Sequence, residues 1–306
     1  GLSGTANPHG GKTPPAEVEI DESLVARLVA EQHPDLAGET VRYIAAGWDN
    51  ELYRLGDHHV VRVPRRQLGA DLVEHEHVWL PKLAPTLPLP ISAPVFAGGP
   101  SAAFRWHWSI CPWFEGAPAS EAPLANPVDD ARRLGRFLAA LHRPAPADAP
   151  LNPHRGQPLA DRDAITRERA AALADLIDSA AVLAAWDRAL ATTPWDGPPI
   201  WLHADLHPGN VIVHNGQIAA VVDFGDICGG DPATDLVIAW SLFDDAARSE
   251  FRRAVDVDID TWERGRGWAI THSLAVLSSS ADNPAYMTFG LRSLAAATAA
   301  GSDSSA

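Results

Sequence analysis

Apolar residues recur along the chain with two different spacings, and each spacing predicts a different kind of element. Spacing of three to four residues, as at Leu24 and Leu28, predicts helices over 21–33, 70–83, 131–142, 161–190 (with a break), 234–243, 260–280 and 284–299. Short apolar or alternating runs bounded by turn residues predict strands over 41–45, 51–55, 59–63, 94–97, 103–110, 198–202, 211–214 and 218–222. The first three strands form a predicted β-meander.

The order of these elements predicts the fold class. Strands gathered in the first third and helices after it indicate an α+β fold with two lobes, not a doubly wound parallel sheet. We place the boundary near 111–117, where Pro and Gly cluster, so that an N-terminal lobe covers 17–112 and a C-terminal lobe covers 113–300. The Gly-, Pro- and Ser-containing ends, 1–16 and 301–306, are predicted to be flexible tails.

The composition excludes several classes of protein. The 306 residues are 46% hydrophobic and 21% charged, as in a globular protein with a sizeable core. The net charge of −15 argues against nucleic-acid binding, because phosphate backbones are held by clustered Lys and Arg. No apolar run reaches the roughly 18–20 residues that span a bilayer, and 1–16 has no signal-peptide core. We therefore expect a cytoplasmic enzyme that binds no membrane, as a monomer or dimer.

One segment carries the residue types that phosphoryl transfer needs. The sequence His-Ala-Asp-Leu-His-Pro-Gly-Asn, 203–210, forms a predicted loop between two strands, and Asp-Phe-Gly follows at 223–225. In the protein-kinase template a catalytic-loop Asp orients the attacking hydroxyl. An Asn five residues later and the Asp of Asp-Phe-Gly then hold Mg²⁺. Asp205, Asn210 and Asp223 match that order and spacing.

Three linked motifs resemble a known family. His-x-Asp-x-x-x-Gly-Asn at 203–210, Asp-Phe-Gly-Asp at 223–226 and Gly-Asp-Pro-Ala-Thr-Asp-Leu at 230–236 are similar to motifs of the aminoglycoside phosphotransferase family of small-molecule kinases. The resemblance suits the layout of residues 40–290. It implies a kinase-like fold with a small β-rich nucleotide lobe and a larger helical substrate lobe. It also implies Mg²⁺, ATP or GTP as donor, and a hydroxyl group of a small molecule as acceptor.

A nucleotide kinase also pairs a basic residue of the third strand with the phosphates, braced by a helix glutamate. The two lysines of the chain lie elsewhere, so Arg62 is the candidate, although its planar fork is not equivalent to a lysine ammonium. The brace is Glu76 or Glu74. We favour Glu76, because apolar residues three, four and seven positions further on share its face of the helix.

Position and resemblance assign further residues around this pocket. Gly47 opens the turn predicted to lie over the phosphates, and Trp113 and Phe114 lie at the hinge where backbone groups would bind the base. The resemblance implies that His203 ties the catalytic loop to the core, and we favour a structural role for His207. Asp235 is interpreted as a brace of the same loop.

The acceptor has several candidates. Ten acidic residues within 226–263 indicate either an acidic groove for a cationic antibiotic or a solvated surface. An aminoglycoside-type acceptor is favoured. The alternatives are a metabolic kinase for a sugar, choline or homoserine, and a kinase-like binding protein without activity. Macrolide kinases carry His in place of Asn210 and Asp-Trp in place of the Asp-Phe at 223–224, which disfavours a macrolide.

A metallohydrolase is a further alternative from a different class of protein. His203, Asp205 and His207 would share one face of a strand and could form a metal site there. The Pro-Gly at 208–209 predicts that the strand has already ended, which weakens this interpretation.

Overall fold

The structure is a computed structural model that describes residues 14–299. The predicted tail at 301–306 and most of the predicted tail at 1–16 lie outside these residues. Among the described residues, no helix combines the length and the apolar character needed to cross a membrane. The cytoplasmic location stays a prediction.

An antiparallel sheet and two helices form the N-terminal part of the fold. The elements are α1 (Glu22–Gln32), β1 (Val41–Ala46), β2 (Asn50–Leu55), β3 (His59–Pro64), α2 (Gln67–Leu83), β4 (Phe96–Gly98) and β5 (Trp108–Pro112). The strands lie in the order β1-β2-β3-β5-β4, and the first three form the predicted meander. Buried side chains of α1, such as Leu28, pack with Tyr53 and Trp108 of the sheet in one apolar cluster.

The C-terminal part is mainly helical. Its elements are β6 (Ala117–Pro118), α3 (Pro127–Leu141), α4 (Asp163–Ala172), α5 (Ser179–Leu190), β7 (Ile200–Leu202), β8 (Val211–His214), β9 (Gln217–Val221), β10 (Cys228–Gly230), α6 (Ile238–Ser241), α7 (Asp245–Val255), α8 (Ile259–Ser279) and α9 (Pro284–Thr298). A second apolar cluster joins the helices to the short strands around Phe137, Trp186 and Trp262. Strand β7 pairs with β10, and β8 pairs with β6 and β9. The segment 203–210 is therefore fixed at both ends by paired strands.

Most predicted elements are present, and the differences concern where they begin, end or break. The helix predicted over 161–190 is divided into α4 and α5, which is the predicted break. The strand predicted over 103–110 begins only at Trp108. The helix predicted over 234–243 is a 3₁₀ turn, Pro232–Val237, followed by the short α6.

Helix α7 was not predicted. Its charged residues hide an apolar face formed by Ala247, Phe251 and Val255, which are four residues apart and buried. Asp244 caps this helix by accepting a hydrogen bond from Ala247 N at 2.9 Å. That N-cap residue was the sequence signal for the helix.

A sheet-containing lobe precedes a helical lobe, so the predicted α+β, bilobal fold is confirmed. The exact division at 112/113 stays a prediction, because Ile91 forms an isolated parallel bridge with Val221 and connects the two parts.

The close packing of α3 against α7 supplies a test of the fold. A Cβ on Gly135 would lie 2.6 Å from Ala254 Cβ and 2.9 Å from Phe251 O. We expect Gly135→Ala to lower the free energy of unfolding by about 1–3 kcal/mol. This is the net loss that remains after the gain of about 1 kcal/mol in helix propensity.

Gly38→Ala is the matched control, because no atom lies within 4 Å of the Cβ that it adds. Denaturant unfolding measures both variants. Equal stability of the two would contradict the close approach of α3 to α7.

Candidate active site

A buried carboxylate holds the loop at 203–210. Asp235 accepts hydrogen bonds from His203 N at 2.9 Å and Ala204 N at 2.8 Å, and it lies 2.9 Å from His142 Nε2. Ala204 has a φ of 71°, a conformation that costs free energy for a residue other than glycine. The bonds to Asp235 stabilise this turn, as the predicted brace should.

His203 connects the loop to the strand end that carries Asp-Phe-Gly. The residue is fully buried, its Nδ1 accepts from Asp205 N at 3.1 Å, and its Nε2 donates to Val222 O at 2.8 Å. Its ring packs 4.4 Å from the ring of Phe224. Because both ring nitrogens are engaged, His203 acts as a scaffold and is not available as a metal ligand.

The Asp205 carboxylate faces the cavity beside a basic partner. Its Oδ1 lies 3.3 Å from Arg155 Nη1, and its Oδ2 lies 3.7 Å from His207 Nε2. Burial acts to raise the pKa of Asp205, but Arg155 and His207 hold it well below its usual range. The carboxylate is therefore ionised at neutral pH and can accept a hydrogen bond from a hydroxyl group.

Two oxygen-bearing side chains lie beside Asp205. Asn210 Nδ2 donates to the Asp205 carbonyl at 2.9 Å, so the other amide atom, Oδ1, is available as a ligand. Asp223 has a φ of 62°, its side chain is about half exposed, and its backbone N donates to Ser92 Oγ at 3.1 Å. One amide oxygen and one carboxylate are ligands that Mg²⁺ accepts in a phosphate site. These residues therefore fit the metal that the resemblance implies.

The metallohydrolase alternative finds no such support. Within 14–299, no group of three or more His, Cys, Asp or Glu residues is arranged to hold a metal ion. His207 Nδ1 accepts from Gly209 N at 3.1 Å, so one nitrogen of this ring is also engaged within the loop.

Arg62 on β3 pairs with Glu76 on α2. Arg62 Nη1 lies 2.5 Å from Glu76 Oε2, and Arg62 Nη2 lies 3.6 Å from Asp223 Oδ1. Both members of the first pair are buried. Glu74 points elsewhere and lies 3.2 Å from His107. The helix-face argument therefore identified the glutamate that contacts Arg62.

The other predicted residues border the same space. Gly47 opens the turn between β1 and β2, and its N donates to Asn50 O at 2.8 Å. Trp113 follows β5, its N donates to His58 O at 2.8 Å, and Arg54 stacks 3.9 Å from its ring. Phe114 comes next. The backbone N of Trp113 is thus already used, and the hinge role of these two residues stays a prediction.

A single cavity of about 990 Å³ collects these side chains. All the predicted site residues line it except Glu76, which lies behind Arg62. Sequence reasoning missed the far side of the cavity, which is lined by Asn152, Arg155, Arg162, Arg169, Trp268 and His272. The spacing of seven between Arg162 and Arg169 was the available signal, because it places both on one helix face.

The acidic segment 226–263 contributes only Asp226 to this lining. Asp231 forms a buried pair with Arg264 at 2.9 Å, and Asp258 caps α8 by accepting from Thr261 N at 2.7 Å. The acidic-groove interpretation is therefore wrong, because these carboxylates serve the fold or lie away from the cavity.

Comparisons with known proteins agree with this geometry. Residues 40–268 match the phosphotransferase enzyme family. Because the match spans more than half of the chain, the chain belongs to that family. Membership confirms the predicted class of enzyme, a small-molecule phosphotransferase acting on hydroxyl groups. Curated protein sequences give no match.

Solved structures share the fold. The GDP complex of a variant of aminoglycoside 2′-phosphotransferase-IIIa has a TM-score of 0.66 and 20% identity, over 90% of this chain and 97% of that chain. The GDP and kanamycin complex of APH(2″)-IIIa has a TM-score of 0.65 and 19% identity, over 89% and 97%. A macrolide 2′-phosphotransferase from Brachybacterium faecium has a TM-score of 0.58 and 20% identity, over 90% and 97%. Other structural neighbours carry ADP or ATP.

Asp226 supplies a pH-dependent test of the site. Burial and the nearby carboxylate of Asp205 raise the pKa of Asp226 to about 7. The folded protein then retains a proton that the unfolded chain loses near pH 4, so stability falls between about pH 4 and pH 7. Asp226→Asn cannot ionise. Its melting temperature in ligand-free protein should exceed that of the wild type by several degrees at pH 8.

The two melting temperatures should converge near pH 4 and separate as the pH rises, in a series of thermal unfolding curves. A constant difference across this range would show that Asp226 titrates as an ordinary carboxyl group.

Proposed function

We propose that this enzyme transfers the γ-phosphate of ATP or GTP to a hydroxyl group of a small molecule, with Mg²⁺ bound. The observation that carries the proposal is the convergence of Asp205, Asn210, Asp223 and the Arg62–Glu76 pair on one cavity. These groups match the parts that phosphoryl transfer requires, and the chemistry depends mainly on positioning and electrostatics.

Asp205 is the catalytic base in this proposal. Its ionised carboxylate accepts a hydrogen bond from the acceptor hydroxyl and aligns the oxygen for in-line attack. As the new P–O bond forms, the hydroxyl proton passes to Asp205 and the bond to the β-phosphate oxygen breaks. Arg155, 3.3 Å from the carboxylate, keeps it ionised and oriented.

Arg62 and two oxygen ligands serve the nucleotide. Arg62 would contact the phosphates and is held in place by Glu76. Asn210 and Asp223 would hold Mg²⁺, which offsets the negative charge of the phosphates when bound. The turn at Gly47 would cover the phosphates, and Trp113 and Phe114 would border the base. GDP, ADP and ATP in the structural neighbours support a purine nucleotide without deciding between ATP and GTP.

Two acceptor classes are candidates. Complexes of structural neighbours with kanamycin, streptomycin and gentamicin support an aminoglycoside, a cationic acceptor. A hydroxylated metabolite is the second candidate, and the arginines on the far side of the cavity favour it. Intact Asp205, Asn210 and Asp223 argue against a binding protein without activity. The expected monomer or dimer is part of the same proposal.

The base role predicts a specific loss. Asp205→Ala removes the group that orients the hydroxyl, so turnover should fall by a factor of about 10²–10⁴, with the Kd of Mg–nucleotide changed only a few-fold. The assay is Mg²⁺-dependent nucleotide turnover with a panel of aminoglycosides, sugars and amino alcohols, with calorimetry for nucleotide binding. Asp57→Ala, at an exposed turn residue, is the control. Retained turnover, or lost nucleotide binding, would contradict the role of Asp205.

The contact of Glu76 with Arg62 leads to a prediction about nucleotide affinity. Glu76→Gln removes the closest charged partner of Arg62 and leaves only the longer contact with Asp223, so Mg–nucleotide should bind roughly tenfold more weakly. Glu74→Gln is the matched control on the same helix, because Glu74 faces His107. Calorimetry on folded samples of both variants measures the difference. Equal affinities would remove Glu76 from the proposed nucleotide site.

A further inference from the structure

Three arginines line the part of the cavity that residues 152–169 contribute. We call Arg155, Arg162 and Arg169 the arginine cluster. Arg162 immediately precedes α4 and Arg169 lies seven residues later, so both lie on one face of that helix. Thr166 lies on the same face, and its hydroxyl oxygen is 2.7 Å from the hydroxyl oxygen of Thr271 of α8.

The contact with α8 sets the direction of the cluster. Thr271 lines the cavity together with Trp268 and His272 of the same helix. The face of α4 that carries Arg162 and Arg169 therefore points into the space where an acceptor would lie next to Asp205.

Two of the three arginines, Arg162 and Arg169, have no carboxylate in direct contact within residues 14–299. Arg155 has an ion pair with Asp205, but Arg162 donates to a neutral group, the carbonyl of His154. Within 14–299 neither Arg162 nor Arg169 has a carboxylate oxygen within ion-pair distance. By contrast, Arg167 of the same helix pairs with Asp163 at 2.9 Å.

The pKa values of Arg162 and Arg169 are lowered by their surroundings. Burial and the positive charges of Arg155 and Arg169 lower the pKa of Arg162, against an opposing effect of Asp161. Burial also lowers the pKa of Arg169, against an opposing effect of Glu168. Partly buried guanidinium groups with no carboxylate in direct contact are stabilised by a bound anion, and their planar fork suits carboxylate or phosphate oxygens. A polycation in the same place would be repelled.

We propose that the arginine cluster binds an oxyanion of the acceptor, so that the substrate is an anionic hydroxy compound and not a polycationic antibiotic. The inference rests on the proposed function, because it assigns the hydroxyl to Asp205 and the anionic group to Arg162 and Arg169. The oxyanion is either a carboxylate or a phosphate ester of the acceptor.

Calorimetry with charge-matched probes tests the inference. Protein saturated with Mg–ADP is titrated with gluconate, glucitol 6-phosphate, neutral glucitol and kanamycin. At least one of the two anionic probes should bind tenfold or more tightly than glucitol, and kanamycin should bind more weakly than that anion. The anionic probe that binds more tightly, gluconate or glucitol 6-phosphate, shows whether the cluster prefers a carboxylate or a phosphate ester.

Variants connect this binding to the cluster. Arg162→Gln and Arg169→Gln should each weaken the preferred anion roughly tenfold, whereas Arg169→Lys should retain part of the affinity. Arg188→Gln, at an exposed residue of α5 outside the cavity, is the matched control. The affinity for Mg–ADP should be the same in all four variants, and the ligand-free Arg162→Gln protein should melt no lower than the wild type.

Several results would overturn the inference. The first is that kanamycin binds more tightly than either anion, and the second is that neither anion binds more tightly than glucitol. The third is that both glutamine variants bind the preferred anion as the wild type does. Loss of Mg–ADP affinity in those variants would assign the cluster to the nucleotide phosphates instead. Failure of the wild type to bind Mg–ADP would count against the proposed function itself. Phosphorylation of kanamycin would instead contradict the anionic acceptor and leave the proposed function intact.

Discussion

The geometry of the site depends on the buried carboxylate of Asp235. It accepts two successive backbone N–H groups, from His203 and Ala204, and lies against His142 at the end of α3. These bonds compensate for the left-handed backbone at Ala204 and set the direction of Asp205. Removing an acceptor of several buried donors leaves each donor unsatisfied, which costs more free energy than the bonds contribute. One side chain thus connects the helical core to the catalytic loop.

Charged groups of both signs line the cavity, and some of them are paired, as Arg155 is with Asp205 and Arg62 with Asp223. Asp205, Asp223 and Asp226 line the cavity beside the catalytic loop and the Asp-Phe-Gly segment, while Arg162 and Arg169 line it from the start of α4 and from within that helix. The net charge of −15 says nothing about this distribution. The charge that matters to a ligand is the local one, because a partly buried cavity screens its own groups less than the exposed surface does.

The sequence was informative where short-range rules apply. Turn residues and alternating apolar positions predicted the meander, and the spacing of Asp205, Asn210 and Asp223 predicted one chemical unit, because a loop fixed between two strands brings such residues together. Helix α7 was missed because its apolar face is only three residues among many charges. For the acidic segment 226–263 the sequence left a groove and a solvated surface as alternatives, because sequence proximity does not show which carboxylates cap helices or pair with arginine.

By itself the sequence determined the bilobal α+β class, the family motifs, the candidate base and metal ligands, and the choice of Arg62 with Glu76. All of these follow from local periodicity or from residue types at fixed spacing. Only the tertiary structure decided which further residues line the cavity, because Arg162 and Arg169 reach it through the packing of α4 against α8 and Arg155 through its contacts with Ala204 and Asp205. These arginines lie 36 to 50 residues before Asp205 in the chain, and no local pattern encodes the long-range packing that brings them to the same cavity.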